Sequence, residues 1–412
     1  MDRRLVALAA GAFVVAADGT LVVGVLPEIA RGLGVSLAAA GQSVAVFAAV
    51  YALSGPAFAT VLRQISVRSV LAGSLVVFAA SNVVTAVAPN LPVLLVGRAL
   101  AAVAAALFMP AASVVATMFS KAARRGRALS VVVSGGAAGI AFGVPAGAWI
   151  ATSSSWRAAF FLLALLAVGV LVANTLLIPT LEPAPLPRRK RWERRALPFL
   201  LVTWMWAFGS FTFFTYVALV LQRAAGIDGG ALALFLLLYG VAGIGGSAAA
   251  GWLTDRAGAR ATLGAALALL ALSLAGLGLL ASRAGNDVFA VSAGAVLFAG
   301  YAAGTWSVTP PQQHRLVALG GDRLIILALN ASALYAGVAL GGVAGGIIIG
   351  FGHGAGFLCW VAAAIELAAL AILQVTDPTT AAKARRLRSV TRRLERAEKS
   401  RIDNDRIGKR PR

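Results

Sequence analysis

The stretch "GSAAAGWLTDRAGARATL", from Gly246 to Leu263, has a counterpart 192 positions earlier in the chain. The counterpart is "SGPAFATVLRQISVRSVL", from Ser54 to Leu71, and the two align without a gap. Arg68 then lies opposite Arg260, and both stretches end in leucine. Each stretch also joins two long apolar segments. The chain of 412 residues is therefore built from two similar halves.

Apolar blocks of about 20 residues fill both halves, which is the length a helix needs to cross about 30 Å of hydrocarbon. The chain is 60% hydrophobic and only 12% charged, which excludes an ordinary soluble fold. Backbone polar groups in lipid must be satisfied internally, so the blocks predict helices, and they lack the alternation typical of barrel strands. Twelve spans are predicted, at about 5–26, 42–62, 69–88, 92–116, 128–150, 158–178, 196–221, 231–253, 261–281, 288–309, 324–350 and 355–375.

A proline-led basic segment, "EPAPLPRRKRWERR", separates the first six spans from the last six. The predicted domains are an amino-terminal six-helix bundle (1–178), a cytoplasmic basic linker (179–195), a carboxy-terminal six-helix bundle (196–375) and a basic cytoplasmic tail (376–412). We therefore predict an all-α membrane protein with twelve transmembrane helices in two pseudo-symmetric bundles. Such paired repeats are typical of transporters whose bundles rock around a site near the bilayer midplane.

The distribution of lysine and arginine predicts the orientation. If the amino terminus is cytoplasmic, the outer loops hold four basic residues, and the inner loops hold 18 even without the 13 that follow Asp377. Cytoplasmic loops carry this excess, so both termini are predicted on the inner side of a bacterial inner (plasma) membrane. The formal net charge of +21 then reflects topology, and no nucleic-acid partner is expected. The tail is solvated or binds anionic lipid weakly.

Several other classes fit the sequence poorly. Arg3 and Arg4 before an apolar run resemble a cleavable signal peptide, but the run continues to Leu26, so we expect an uncleaved first helix. Cys359 is the only cysteine, which rules out an internal disulfide. His314 and His353 are the only histidines and belong to no zinc motif, so neither an enzyme nor a cofactor is expected. No polar or carbonyl-lined path typical of a channel is evident.

Five motifs resemble those of the major facilitator superfamily. The loop "GWLTDRAGAR" is similar to the signature between the second and third helices of each half, and "GIAFGVPAG" (139–147) resembles the fifth-helix motif of proton-driven exporters. "VGRALAAVAAALFMPAA" (96–112) is similar to the fourth-helix arginine motif. "ADGTLVVGVLPEIARGLGVS" and "TPPQQHRLVALGGDRLIILALNASALYAGVALGGVAGG" (309–346) resemble the matching stretches of bacterial arabinose-efflux and chloramphenicol-resistance exporters. The resemblance covers about 5–375 and implies the major facilitator fold.

The chain departs from the family pattern at two places. Where the second half has Asp255 and Gly258, the first half has Arg63 and Ser66, so the inner-gate acid is present only in the second half. The first-helix acid of the arabinose-efflux group also falls one residue later, at Gly19. Asp18 is closer to the aspartate of multidrug exporters, which leaves the substrate class open.

Asp18 and Arg98 are isolated charges within predicted spans. A carboxylate at mid-span costs roughly 2.5–3.5 kcal/mol on insertion scales, so such groups face a cavity or each other. Helical rise places Asp18 about 12 Å and Arg98 about 9 Å below the outer surface, so the two can meet. We interpret them as a proton-coupling pair, with Asp18 taking a proton outside and releasing it inside as Arg98 moves or substrate leaves. A static pair that only fixes packing is the alternative.

The predicted substrate contacts are mostly aromatic, which suits an uncharged or lipophilic molecule. Packing or interface residues are the alternative for each of them. Glu366, near the middle of the last span, is a candidate site for a cationic substrate, or else a scaffold-facing or lipid-facing acid. The full predicted set is Phe108, Met109, Tyr216, Trp306, Asn330, Tyr335 and Glu366.

Glycine clusters in spans five and eleven predict close helix packing and a moving seam between the bundles. Asp255 is expected to bind the next helix's amino terminus and to pair with Arg256, Arg260 or the facing half, closing the inner side. The cluster residues are Gly135, Gly136, Gly139, Gly143 and Gly147 with Pro145, and Gly337, Gly341, Gly342, Gly345 and Gly346. The predicted gating set is Gly251, Asp255, Arg256, Gly258, Arg260, Arg63, Gly139, Gly143, Pro145 and Gly147.

Because the fifth-helix motif accompanies export in the family, the resemblance implies proton-coupled efflux by alternating access. The expected partners are a small lipophilic or drug-like substrate, protons and membrane lipid, and the chain is expected to be a monomer. A facilitator or symporter importing a sugar, a nucleoside or another small metabolite is the alternative.

Overall fold

The computed structural model describes residues 2–61, 65–119, 125–179, 194–283, 287–319 and 323–375. Twelve helices in this part of the chain are long and apolar enough to cross a membrane, and no strand occurs in it. The predicted fold class is confirmed. Arg63, most of the predicted linker and the predicted tail lie outside the described residues.

Fourteen α-helices form the described part of the chain, with a short 3₁₀ turn before the seventh. They are α1 (Arg3–Leu33), α2 (Leu37–Val61), α3 (Val67–Val87), α4 (Leu91–Met118), α5 (Arg125–Ser153), α6 (Trp156–Leu177), α7 (Leu197–Phe214), α8 (Val217–Ala225), α9 (Gly229–Ala257), α10 (Ala259–Arg283), α11 (Val288–Ser307), α12 (Thr309–Ala318), α13 (Arg323–Gly350) and α14 (Ala355–Val375).

Polar residues and glycine set several helix ends. Asn90 Oδ1 accepts a hydrogen bond from the Val93 amide at 3.1 Å and begins α4. Asp287 caps α11 in the same way, through the Ala290 amide at 2.8 Å. Both side chains satisfy an amide that has no partner inside the helix. Gly34 ends α1 with φ at 64°, a left-handed angle that favours glycine.

The structure differs from the predicted spans at the seventh and the tenth. The predicted span 196–221 is two helices, because α7 ends at Phe214 and α8 begins at Val217. Tyr216 lies in the break with φ −115° and ψ 25°. Apolar residues continue through the break, so hydropathy alone does not locate it. After Val308 the tenth span is extended by α12, which is too polar to have been included.

Each bundle has its own packing, and the two packings correspond. In the amino-terminal bundle α1 packs along α5, and α3 packs between α4 and α6. In the carboxy-terminal bundle α7 packs along α13, and α14 packs against α7 and α10. Contacts between the bundles are made chiefly by α2 with α13 and by α5 with α9. The first and fifth spans of each half are therefore partners, and so are the second and fifth spans of opposite halves.

The glycine clusters lie on α5 and α13, the two helices that contact α9 and α2 of the opposite bundle, and most of these glycines face a helix of their own bundle. Gly139 lies against the Phe13 backbone and Gly143 against Ala17, both on α1. Across the bundles, Gly342 and Gly346 face α2. Small residues let helix backbones approach closely in membranes, and here they tie each bundle together. The glycines facing a helix of their own bundle are Gly135, Gly139, Gly143 and Gly147 on α5 and Gly337, Gly341 and Gly345 on α13.

The matched arginines of the repeat have matched roles. Arg68 Nη2, at the start of α3, donates to the Thr175 carbonyl oxygen at 2.7 Å, near the end of α6. Arg260 Nη2, at the start of α10, donates to the Gln374 carbonyl oxygen at 3.0 Å, near the end of α14. Carbonyl groups in the last turn of a helix lack partners within that helix, so each arginine secures the last long helix of its own half.

Candidate functional site

Asp18 of α1 and Arg98 of α4 meet in the interior of the amino-terminal bundle. Arg98 Nη1 donates to Asp18 Oδ1 at 2.7 Å, and Arg98 Nη2 donates to the Asp18 carbonyl oxygen at 3.2 Å. Both side chains are 0% exposed. The structure thus brings together the two charges that the sequence singled out.

Aromatic rings surround the Arg98 guanidinium. Its carbon lies 4.5 Å from the Phe47 ring centroid on α2 and 5.9 Å from the Phe160 ring centroid on α6. Within the described residues, Asp18 Oδ2 and Arg98 Nε have no hydrogen-bond partner. The carboxyl group therefore has one oxygen bound by the guanidinium and a second oxygen that can carry a proton.

A cavity of about 170 Å³ lies in the carboxy-terminal bundle, between α7, α12 and α13. Of the predicted substrate contacts, Asn330 and Tyr335 line it. Thr309 and Gln313, which also line it, are exposed at the membrane face that carries the amino terminus. The lining residues are Thr203, Trp206, Val308, Thr309, Gln312, Gln313, Leu327, Asn330, Ala331, Leu334 and Tyr335. None of them is acidic or basic.

The polar side of this cavity is a hydrogen-bonded group in which the sequence singled out only Asn330. Thr203 Oγ1 donates to Asn330 Oδ1 at 2.6 Å, and Gln312 Nε2 donates to Thr203 Oγ1 at 2.9 Å. Behind it, Arg315 Nη1 donates to Gln312 Oε1 at 3.1 Å. The run of polar residues in "TPPQQHR" beside an apolar span was the available signal for Gln312 and Arg315.

Trp206 is a further lining residue that the sequence did not single out. Its side chain is buried, and in the described part of the chain its Nε1–H has no hydrogen-bond acceptor. An aromatic residue in an apolar span carries no sequence signal for which helix face it occupies. A buried N–H without an acceptor thus belongs to a residue of the cavity lining.

Four predicted substrate contacts lie elsewhere. Phe108 is fully buried against Gly11 of α1, inside the amino-terminal bundle rather than at a cavity wall. Tyr216 is also buried, and its hydroxyl donates to the Gly342 carbonyl oxygen at 2.9 Å. The Met109 side chain lies beside Gly136 of α5, and Trp306 packs on Gly243 of α9. None of the four lines the cavity.

Glu366 faces the interior of the carboxy-terminal bundle, which corrects the lipid-facing alternative. Its Oε1 accepts a hydrogen bond from Ser210 Oγ of α7 at 2.9 Å, and the side chain is fully buried. Ser210 lies 192 positions after Asp18, the offset of the repeat. Each half therefore buries one carboxyl group beside its first span, and a substrate role for Glu366 stays a prediction.

Asp255 pairs with neither of the two arginines predicted as its partners, and the loop of the facing half at 62–64 lies outside the described residues. Asp255 is exposed and, among the described residues, forms no hydrogen bond or ion pair. Arg256 instead lies 4.1 Å over the Trp252 ring, and Arg260 binds Gln374. Gly258 ends α9 with φ at 87°, which favours glycine. If Asp255 helps to close the inner side, it needs a partner other than these two arginines.

A larger hollow of about 630 Å³ lies between the bundles at the opposite membrane face. Its wall includes Glu28, whose Oε1 accepts a hydrogen bond from Arg31 Nη2 at 2.6 Å, and Asp228 of the other half. Its remaining lining residues are Pro27, Leu37, Ala151, Thr152, Ala218, Leu219, Gln222, Ile227, Gly229 and Leu232. Both halves contribute to this hollow, whereas only one half forms the smaller cavity.

Comparison with known proteins identifies the family to which this architecture belongs. Residues 8–317 match the family model of the Major Facilitator Superfamily. Inner membrane transport protein YdhP of Escherichia coli (strain K12) is 30% identical over 381 residues, covering 91% of this chain and 95% of the relative. A chloramphenicol resistance protein of Streptomyces lividans is 33% identical over 287 residues, covering 66% and 72%.

Solved structures agree on the fold. A POT family transporter in complex with 5-aminolevulinic acid superposes with a TM-score of 0.75 at 12% identity, covering 92% of this chain and 95% of that one. The twelve spans in two bundles match a transporter fold, and the relatives are membrane transport proteins. This chain therefore belongs to the Major Facilitator Superfamily and is a secondary transporter, not an enzyme.

Proposed function

We propose that this chain is a proton-coupled exporter of small, uncharged, lipophilic molecules in a bacterial inner membrane, working by alternating access. The observation that carries the proposal is the fully buried Asp18–Arg98 pair, with a carboxyl oxygen left without a partner in the described structure. A buried ionisable group inside a transporter bundle is typical of a proton relay.

Proton coupling follows from the balance of energies in this pair. Two opposite charges about 4 Å apart attract by ~4 kcal/mol at an effective dielectric near 20, which offsets the burial of one charge but not of both. Protonation of Asp18 removes the attraction between the two charges and leaves Arg98 held by its hydrogen bond to the Asp18 carbonyl oxygen and by the Phe47 ring. A proton taken up from outside would thus loosen the pair, and its release inside would restore it.

The cavity supports an uncharged substrate. The described residues that line it include no acidic or basic side chain, and apolar groups such as Leu327 and Leu334 make up much of the wall. The Trp206 indole offers a hydrogen bond to an acceptor oxygen or nitrogen. The similarity to a chloramphenicol resistance protein supports a neutral drug-like molecule as the first compound to test.

Export is compatible with the position of the cavity mouth. Thr309 and Gln313 are exposed at the face that carries the amino terminus. The excess of basic residues in the loops of that face supports a cytoplasmic position for it. A cavity that opens to the cytoplasm can load substrate from inside, which export requires; an importer releases substrate through the same opening, so the choice of direction rests on the fifth-helix motif. Import of a sugar or nucleoside remains the competing function.

Transport by inverted membrane vesicles tests the proposal. An imposed pH gradient, acidic inside, should drive accumulation of radiolabelled chloramphenicol in vesicles that contain the wild-type protein. Asp18→Asn should lower this accumulation at least tenfold, because the group that exchanges the proton is gone.

Glu366→Gln is the matched control, because it neutralises the other buried carboxyl group. It should retain the gradient dependence. Undiminished gradient-driven uptake by Asp18→Asn would remove Asp18 from the mechanism, and net uptake of the compound by intact cells would establish import.

A further inference from the structure

A chain of ring contacts joins the ion pair of one bundle to the cavity of the other. The Arg98 guanidinium lies 4.5 Å over Phe47, a distance suited to a cation–π interaction. Tyr51 lies 6.3 Å from Phe47, centroid to centroid, with the two rings 30° apart. Tyr51 in turn stacks on Tyr335 of α13, with centroids 3.8 Å apart. Tyr335 is part of the cavity wall.

This series of ring contacts passes from the amino-terminal bundle to the carboxy-terminal bundle at one contact, between Tyr51 and Tyr335. Phe47 and Tyr51 are four residues apart on α2 and so lie on the same helix face. α2 packs against α4, which carries Arg98, and against α13, which carries Tyr335. The stacking of Tyr51 on Tyr335 is therefore a contact by which the amino-terminal bundle touches the cavity wall.

Because these rings are densely packed, a shift of one of them displaces its neighbours. Phe47 is buried, so its ring has little free volume into which it can move without its neighbours. If Arg98 loses Asp18 as its partner, its position over Phe47 changes, and α2 must adjust where Tyr51 meets Tyr335.

We propose that Phe47, Tyr51 and Tyr335 form an aromatic relay through which the state of the Asp18–Arg98 pair sets the position of Tyr335 in the cavity wall. The relay rests on the proposed function for its purpose, since it would report protonation of Asp18 to the substrate site. These three are positioning residues that act through one another. The relay couples the Asp18–Arg98 pair to Tyr335 in the cavity wall, and this coupling can be measured without substrate.

Fluorine NMR of the full-length chain labelled with 3-fluorotyrosine tests the relay. The chain has five tyrosines, and Tyr51→Phe and Tyr335→Phe assign the two signals of interest. Asp18→Asn should displace both signals. It should leave the signals of Tyr239 and Tyr301 in place, because these rings belong to a separate aromatic cluster in the carboxy-terminal bundle.

The decisive measurement repeats the comparison in a protein that already carries Phe47→Leu, and asks whether Asp18→Asn still shifts the Tyr335 signal. In Phe47→Leu, the ring that links Arg98 to Tyr51 is removed, and Asp18→Asn should no longer move the Tyr335 signal. Phe160→Leu is the matched control: it removes the other ring facing Arg98, which lies on α6 within the amino-terminal bundle, so the displacement should persist. Unchanged Tyr239 and Tyr301 signals verify folding, and Phe47→Met replaces Phe47→Leu if the latter does not fold.

An equal displacement of Tyr335 with and without the Phe47 ring would overturn the relay, because the charge would then act through space. A displacement that stops at Tyr51 would also overturn it. Neither result bears on proton-coupled transport, and a failure of the vesicle experiment would leave this coupling measurable.

Discussion

At the scale of single residues, Asp18 and Arg98 were predictable because each is a lone charge at a matching depth in its span. Charge is rare in apolar helices, so it carries strong information. Phe108 and Tyr216 were placed at a cavity wall, but aromatic residues occur on every face of an apolar helix. Which face is buried depends on neighbouring helices, and that information is not local in sequence. Trp206 escaped notice for the same reason.

The unpaired indole of Trp206 leads to a prediction about affinity. Trp206→Phe keeps an aromatic ring and removes the N–H donor, so chloramphenicol binding should weaken by about fivefold to tenfold, the worth of a hydrogen bond of about 1 kcal/mol. Trp204→Phe, on the same helix but outside the cavity wall, is the matched control and should bind as the wild type does. Equal affinities for the two variants, measured by equilibrium dialysis with purified protein, would exclude Trp206 as the donor.

At the scale of helices, length and hydropathy located all twelve spans, and the repeat predicted how the halves correspond. The break before Tyr216 could not be predicted, because neither proline nor a charge marks it. The glycine clusters were recognised as packing surfaces, but their partner helices were not. A stripe of small residues on a helix shows that some backbone approaches closely, and only the three-dimensional arrangement shows which one.

The assignment of these glycines to the α1–α5 contact can be tested by stability. A Cβ at Gly139 would meet the Phe13 carbonyl oxygen, whereas a Cβ at Gly251 meets no atom within 4 Å. Gly139→Ala should therefore destabilise the protein by about 1–3 kcal/mol, the usual cost of overpacking. Gly251→Ala should have no such cost. Thermal unfolding in detergent compares the two, and equal melting temperatures would contradict the assignment.

At the scale of the whole molecule, the two halves share their internal packing but differ in chemistry. The first half pairs its buried acid with an arginine, and the second half pairs its buried acid with a serine. Every described residue that lines the cavity belongs to the second half. The repeat predicted the shared architecture, since similar sequences fold alike. It could not predict this division of roles, which lies at positions where the halves differ.

The orientation predicted from the basic loops can be measured by cysteine labelling. Cys359→Ser removes the one native thiol, after which Asp2→Cys and Gly354→Cys place single thiols at exposed positions on opposite faces. A membrane-impermeant maleimide added to intact cells should label the cysteine at position 354 and not the one at position 2. The reverse pattern would contradict the orientation predicted from the basic loops and would put the cavity mouth outside.

The confinement of the cavity lining to one bundle has a consequence for how selectivity and turnover are divided. When the two bundles tilt against each other, a cavity lined by both of them changes shape. A cavity lined by one bundle keeps its lining residues in place, and only its access to either side of the membrane changes. We therefore expect the carboxy-terminal bundle to decide which compounds are carried, and the amino-terminal bundle to decide how fast any of them is carried. Changes to the two bundles should then alter these two properties independently.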